Sequence, residues 1–169
     1  MRIVNHRRPV SLARRLLPGS RRAGRRADEV LDYWLRNVSH GRFERSLSGI
    51  TAFSAVITTL EIYFEHYRAS FGDPWMWSPV VVTPPIVAAG AAGVFSKKVA
   101  KTALPVASAI YLGNGLLGMY FHVRGVGRRP GGWDLPTYNV PMGPPLLAPG
   151  LMSMVGVMGI LAAILRREP

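Results

Sequence analysis

Two histidines and two glutamates lie in apolar stretches of this chain, where side chains of these types could bind a cofactor or carry protons. Glu61, Glu65 and His66 belong to the segment TTLEIYFEHYR at residues 58–68, and His122 closes another apolar stretch. Imidazole nitrogens ligate haem iron and transition metals, and carboxylates ligate metals or transfer protons. These four residues are therefore the predicted cofactor or metal site.

Several kinds of chemistry fit these residues. Two histidines at matched depth on different helices indicate the axial ligands of a b-type haem, or, with the glutamates, one iron, zinc or manganese ion. A quinone headgroup bound by His122 or Glu61 is a third interpretation. A single carboxylate within a four-span membrane protein is typical of proton-coupled carriers, so Glu61 could instead be a proton and cation site. In a purely structural interpretation, Glu61 bonds Thr58 or His122, and Glu65 pairs with Arg68.

Four apolar stretches must position these side chains. They are long enough to cross a bilayer, which needs about 20 residues. The predicted spans are residues 47–66, 77–95, 104–122 and 146–165. The predicted fold class is therefore all-α, an integral-membrane four-helix bundle. The chain contains no cysteine, which excludes disulfides and thiolate metal sites, and it has none of the G-x-S-x-G or H-E-x-x-H signatures of soluble enzymes. We expect no catalytic activity from this chain on its own.

The basic residues predict the orientation of the spans, since Lys and Arg in short loops stay on the cytoplasmic side. With both termini inside, the inner segments hold 17 of the 21 Lys and Arg and the outer loops hold 4. Arg outnumbers Lys 18 to 3, which favours a bacterial inner membrane. The arginine-rich, acid-free start of the chain also resembles a mitochondrial transit peptide, so the mitochondrial inner membrane is the alternative.

The N-terminal part of the chain divides into two predicted segments before the membrane domain at residues 46–169. Residues 1–27 are a basic arm, predicted to be disordered and to contact anionic lipid headgroups. Its lipid-contacting residues are Arg14, Arg15, Arg21, Arg22, Arg25 and Arg26. The spacing of apolar residues in 28–45 predicts an amphipathic helix. This helix would lie on the membrane surface or bind a soluble partner. Nucleic-acid binding is not favoured, because no aromatic residue interleaves these arginines.

Polar residues form one stripe on each of two spans. In the first span the stripe is Thr51, Ser54, Thr58, Glu61, Glu65 and Arg68, and in the third it is Ser108, Tyr111, Gly115, Gly118 and His122. Both stripes are predicted to face the bundle interior, because charge facing lipid is costly. Both histidines then lie at the external end, with Asn114 as a further buried polar residue.

The last external loop, residues 123–145, is predicted to lie above this Glu/His cluster. Its five glycines and five prolines in 23 residues predict no regular structure. Arg124, Arg128 and Arg129 are expected to pair with Glu65 or Asp134, or to bind lipid phosphates or a partner.

The sequence thus predicts a small multi-pass membrane protein that is an accessory subunit of a larger membrane complex, with a redox complex as one interpretation. Its partners would be other membrane subunits or further copies of the chain. A proton-coupled carrier that uses Glu61 and a purely structural membrane protein are the alternatives.

Overall fold

The computed structural model describes residues 28–32 and 41–166. The chain divides into two units, residues 1–37 and residues 38–169. In the first unit, residues 28–32 are helical and exposed, within the segment predicted as an amphipathic helix. The basic arm, with its six predicted lipid-contacting arginines, and residues 33–40 lie outside the described residues.

The described part of the second unit is helical, without strands, and four of its helices are long and apolar enough to cross a membrane. These are α1 (Arg42–Arg68), α2 (Ser78–Phe95, preceded by the 3₁₀ turn Pro74–Trp77), α4 (Ala103–Gly127) and α6 (Leu147–Leu165). A short helix, α3 (Lys97–Lys101), connects α2 to α4. The prediction of an all-α chain with four helices long and apolar enough to cross a membrane is confirmed for the described residues.

Two of the four helices are longer than the predicted spans. Gly41 precedes α1 with a φ of 67°, a left-handed conformation that suits glycine, so α1 begins at Arg42 rather than at residue 47. Residues 42–45, predicted as the end of the amphipathic helix, are therefore the first turn of α1. At its other end α4 continues to Gly127, five residues past His122.

The long helices pack so that α1 and α4 lie across from each other, since each contacts both α2 and α6. Glycines allow these close contacts. A Cβ atom added at Gly90 of α2 would lie 2.9 Å from the Ser48 carbonyl oxygen of α1, and one added at Gly156 of α6 would lie 2.7 Å from the Leu112 nitrogen of α4. The helices therefore meet nearly backbone to backbone at these positions.

The buried face of α1 differs from the predicted one. The residues along this face are buried or half-buried and recur at helical spacing. They include Glu44, Ser48, Thr51, Ala55, Thr59, Ile62 and His66. In the predicted stripe, by contrast, Thr51 is buried, Ser54 and Thr58 are half-buried, and Glu61 and Arg68 are exposed. Relative to the prediction, the helix is rotated about its axis. Ser54 and Thr58 therefore lie at the edge of the interior, and Glu61 and Arg68 lie outside it.

The polar stripe predicted on α4 does face the interior. Ser108, Tyr111 and Gly115 are buried, and Gly118 and His122 are half-buried. This stripe includes the two glycines that permit close packing, and the side chain of Ser153 from α6 lies 2.5 Å from a Cβ atom built at Gly115.

The loop after α4 has regular structure, contrary to prediction. It contains a 3₁₀ turn at Gly132–Asp134 and the short helix α5 at Pro136–Asn139. Asn139 is buried and organises the loop: its amide nitrogen donates to the carbonyls of Pro130 and Gly132, 3.0 and 2.8 Å away, and its oxygen accepts from Arg129 Nε at 3.4 Å. The side-chain amide of Asn139 thus makes three hydrogen bonds that hold the loop together.

Candidate functional site

A cavity of about 620 Å³ opens at the end of the helix assembly where α1 and α4 finish and α2 and α6 begin. We call it the cavity and this end the cavity end. Its volume falls within the range of about 300–1,000 Å³ that is usual for small-molecule and cofactor sites. Residues from α1, α2, α4, the 3₁₀ turn before α2 and the loop after α4 line it.

Both candidate histidines line the cavity and are held by the same kind of bond. His66 Nδ1 lies 2.7 Å from the carbonyl oxygen of Met76, and His122 Nδ1 lies 2.7 Å from that of Pro145. A carbonyl oxygen only accepts hydrogen bonds, so each Nδ1 carries a proton and donates it. In the neutral ring the lone pair then belongs to Nε2, the nitrogen available to a ligand.

The two imidazoles lie close to each other although they come from helices on opposite sides of the assembly. Their ring centres are 6.4 Å apart and their planes cross at 67°. Two imidazoles that ligate one metal ion from opposite sides have ring centres about 6 Å apart, because each metal–nitrogen bond is about 2 Å and each ring adds about 1 Å. The separation therefore matches that of a ligand pair.

The walls of the cavity are largely apolar, and charged side chains lie among its lining residues. The apolar lining includes Trp75, Met76, Leu117, Phe121 and Met142. The charged lining comprises Glu65, Arg68, Asp73, Arg128 and Arg129, which sum to one positive charge. Such a lining fits a mostly apolar ligand that also carries charged groups.

The two glutamates have different positions. Glu65 lines the cavity and accepts a hydrogen bond from Arg68 at 2.5 Å, the pair that the purely structural interpretation predicts. Glu61 is exposed on the outer surface of α1 and does not line the cavity. The prediction that Glu61 faces the interior beside the histidines is wrong. A charged side chain that faces lipid costs at least about 2.5 kcal/mol, so the position of Glu61 requires another explanation.

Of the supporting polar residues predicted from the sequence, Asn114 lines the cavity. Tyr111 is fully buried one turn further from the cavity end, where its hydroxyl lies 3.0 Å from Thr59 Oγ1. Thr58 is only half-buried and does not line the cavity. Arg124 bonds the hydroxyl of Tyr120 at 3.0 Å and lies outside the cavity lining.

The sequence does not reveal several polar contacts at the cavity and in the neighbouring interior. It does not show Thr59 and Thr83, whose hydroxyl oxygens are 2.6 Å apart in the interior, or the carbonyls that orient the histidines. Thr59 carries a detectable signal, since it lies seven residues before His66 and hence on the same helix face. The carbonyls of Met76 and Pro145 carry none, because any residue type supplies a carbonyl.

The site provides few ligands for a bare metal ion. Among residues 28–32 and 41–166, no group of three or more His, Asp, Glu or Cys side chains is placed to hold one. The nearby carboxylate of Glu65 is already paired with Arg68. The imidazoles of His66 and His122 are thus the principal ligands that the described residues offer.

A search against protein-family models, curated proteins and solved structures finds no match for this chain.

Proposed function

We propose that this chain is a b-type cytochrome subunit, which binds one haem in the cavity with His66 and His122 as axial ligands and transfers electrons within a membrane complex. The observation that carries the proposal is the pair of imidazoles 6.4 Å apart, each oriented by a carbonyl at Nδ1. Haem suits this pair better than a bare ion, because the porphyrin supplies four nitrogens and needs only two protein ligands.

The remainder of the cavity supports the same ligand. A porphyrin is apolar across most of its surface and carries two propionates at one edge. The aromatic and methionine side chains of the lining suit the ring, and Arg128 and Arg129 suit the propionates.

The membrane setting completes the proposal. The four spanning helices would form a bundle with both termini in the cytoplasm of a bacterium, and the cavity would then open toward the outer face of the inner membrane. The charge distribution of 17 basic residues inside against 4 outside supports this orientation. The chain would act as an accessory subunit without catalysis of its own, with haem supplying the electron chemistry.

The test is an absorption spectrum and elemental analysis of the detergent-purified protein, expressed with sufficient haem. We expect a Soret band and close to one iron per chain. His66→Ala and His122→Ala should each remove most of the haem. His122→Met should retain haem with a raised reduction potential, because a His/Met pair raises the potential of haem.

Tyr111→Phe is the matched control, since it alters the interior next to the cavity without changing its lining. This variant should keep the full Soret band. An iron-free, colourless protein would overturn the proposal. Copurified quinone that is lost in both histidine variants would assign the cavity to a quinone instead.

A further inference from the structure

Glu61 lies where a carboxylate is least expected in a membrane helix. It is exposed on α1, seven residues before the helix ends at Arg68, which places it about 10 Å below that end at 1.5 Å per residue. Exposed Tyr67, Trp75 and Trp77 lie at the same end of the helices and are typical of the membrane–water interface. Glu61 is therefore in the hydrocarbon region, beneath the aromatic belt.

Within the described residues the Glu61 carboxylate has no hydrogen-bond or ion-pair partner. Its neighbours on the same edge of α1 are Thr58, one turn away, and Ser54, two turns away, both half-buried. We call Ser54, Thr58 and Glu61 the Glu61 face. Exposed apolar residues adjoin it, with Ile57 at 51% and Phe64 at 53% exposure. The face is therefore a polar strip within an otherwise lipid-compatible surface.

We propose that the Glu61 face binds a transmembrane helix of a partner subunit, and that this helix carries a basic side chain at the depth of Glu61. Ionisable side chains within spans pair with one another or with other polar groups, and hydroxyls on helix faces hydrogen-bond across helix pairs. A basic partner satisfies the carboxylate and neutralises its charge. The inference rests on the position of Glu61 and is independent of the haem.

A second copy of the chain is a poorer occupant. Two copies in the same orientation are related by an axis along the membrane normal, which brings the two Glu61 side chains to one depth. Facing each other, they would place like charges together in a low-dielectric region. Charge complementarity thus favours a different subunit with a cationic side chain.

The test measures the binding of designed helices to the full chain in lipid vesicles by energy transfer between labels. One probe is a leucine-based transmembrane helix with a single arginine at the matching depth, and the other has leucine there. We expect the arginine helix to bind the wild-type protein at least tenfold more tightly. Glu61→Leu and Glu61→Gln should remove the preference, and Ile57→Leu, an exposed apolar control on the same helix, should keep it.

Three results would overturn the inference. The first is equal binding of the two probes to the wild type. The second is self-association of labelled wild-type chains that Glu61→Leu abolishes, which would make a second copy the occupant. The third is loss of cofactor in Glu61→Leu, which would assign Glu61 to the cavity. Because haem content is measured separately on every variant, a failure of the haem proposal leaves this comparison of probes interpretable.

Discussion

The two faces of α1 both carry polar residues, but those on one face are buried and hydrogen-bonded, and Glu61 on the other face is exposed. On the buried face, the hydroxyl of Thr51 donates to the Leu47 carbonyl at 2.8 Å, and Thr59 bonds Thr83 and Tyr111. On the Glu61 face, the carboxylate is exposed and has no partner within the described residues. The comparison teaches that helical spacing alone does not tell which polar stripe the chain satisfies by itself and which it leaves for a partner.

The largest stability effect should come from the packing of the buried face. Gly90→Ala places a Cβ atom 2.9 Å from the Ser48 carbonyl oxygen and 3.1 Å from the Ala52 nitrogen, both backbone atoms of α1 that cannot rotate away. Overpacking of this kind costs about 1–3 kcal/mol. We expect a loss of that size in reversible unfolding in mixed micelles.

Gly113→Ala is the matched control, because a Cβ atom at Gly113 would meet nothing within 4 Å. Alanine favours a helix over glycine by about 1 kcal/mol, so this variant should be as stable as wild type or slightly more stable. Equal losses in both variants would show that α1 and α2 do not pack as described.

A smaller effect should separate two adjacent threonines on α1. Thr59→Val removes the hydroxyl that bonds Thr83 at 2.6 Å and Tyr111 at 3.0 Å. Thr83 keeps its bond to the Pro79 carbonyl, and Tyr111 keeps one to the Ala55 carbonyl, so the expected cost is about 1 kcal/mol.

Thr58→Val, one residue earlier on the Glu61 face, should change the unfolding free energy of the isolated chain by less than about 0.5 kcal/mol. The same unfolding experiment compares the two valine variants directly. A larger loss from Thr58→Val than from Thr59→Val would reverse the assignment of the two faces.

A small effect that depends on salt should come from the ion pair at the cavity end. Arg68 and Glu65 have side-chain exposures of 72% and 28%, and an exposed pair contributes less than about 1 kcal/mol. Glu65→Gln should therefore lower the unfolding free energy slightly at low salt and not at 1 M salt, where charges are screened. A loss that persists at high salt would indicate a role beyond this pair.

The candidate site was predicted in part. His66 and His122 were expected to converge, and the structure places their rings beside each other in the cavity with Glu65 and Asn114. Glu61 was expected there and is not. The two glutamates are four residues apart and so share a stripe, but a small rotation of α1 places Glu65 at the cavity and Glu61 on the outer surface of the helix.

The sequence by itself determined the four spanning helices, because a chain in lipid must satisfy its backbone hydrogen bonds within each span, and length and hydropathy reveal that. It also determined the inner face of α4, where Ser108, Tyr111 and Gly115 form its one polar and small-residue stripe. Only the tertiary structure decided the rotation of α1, since polar residues occur on two of its faces and close packing of Gly90 against Ser48 selects between them. The tertiary structure also decided which backbone carbonyls orient the histidines. Every residue type has a carbonyl, so only the path of the loops brings those of Met76 and Pro145 to the rings.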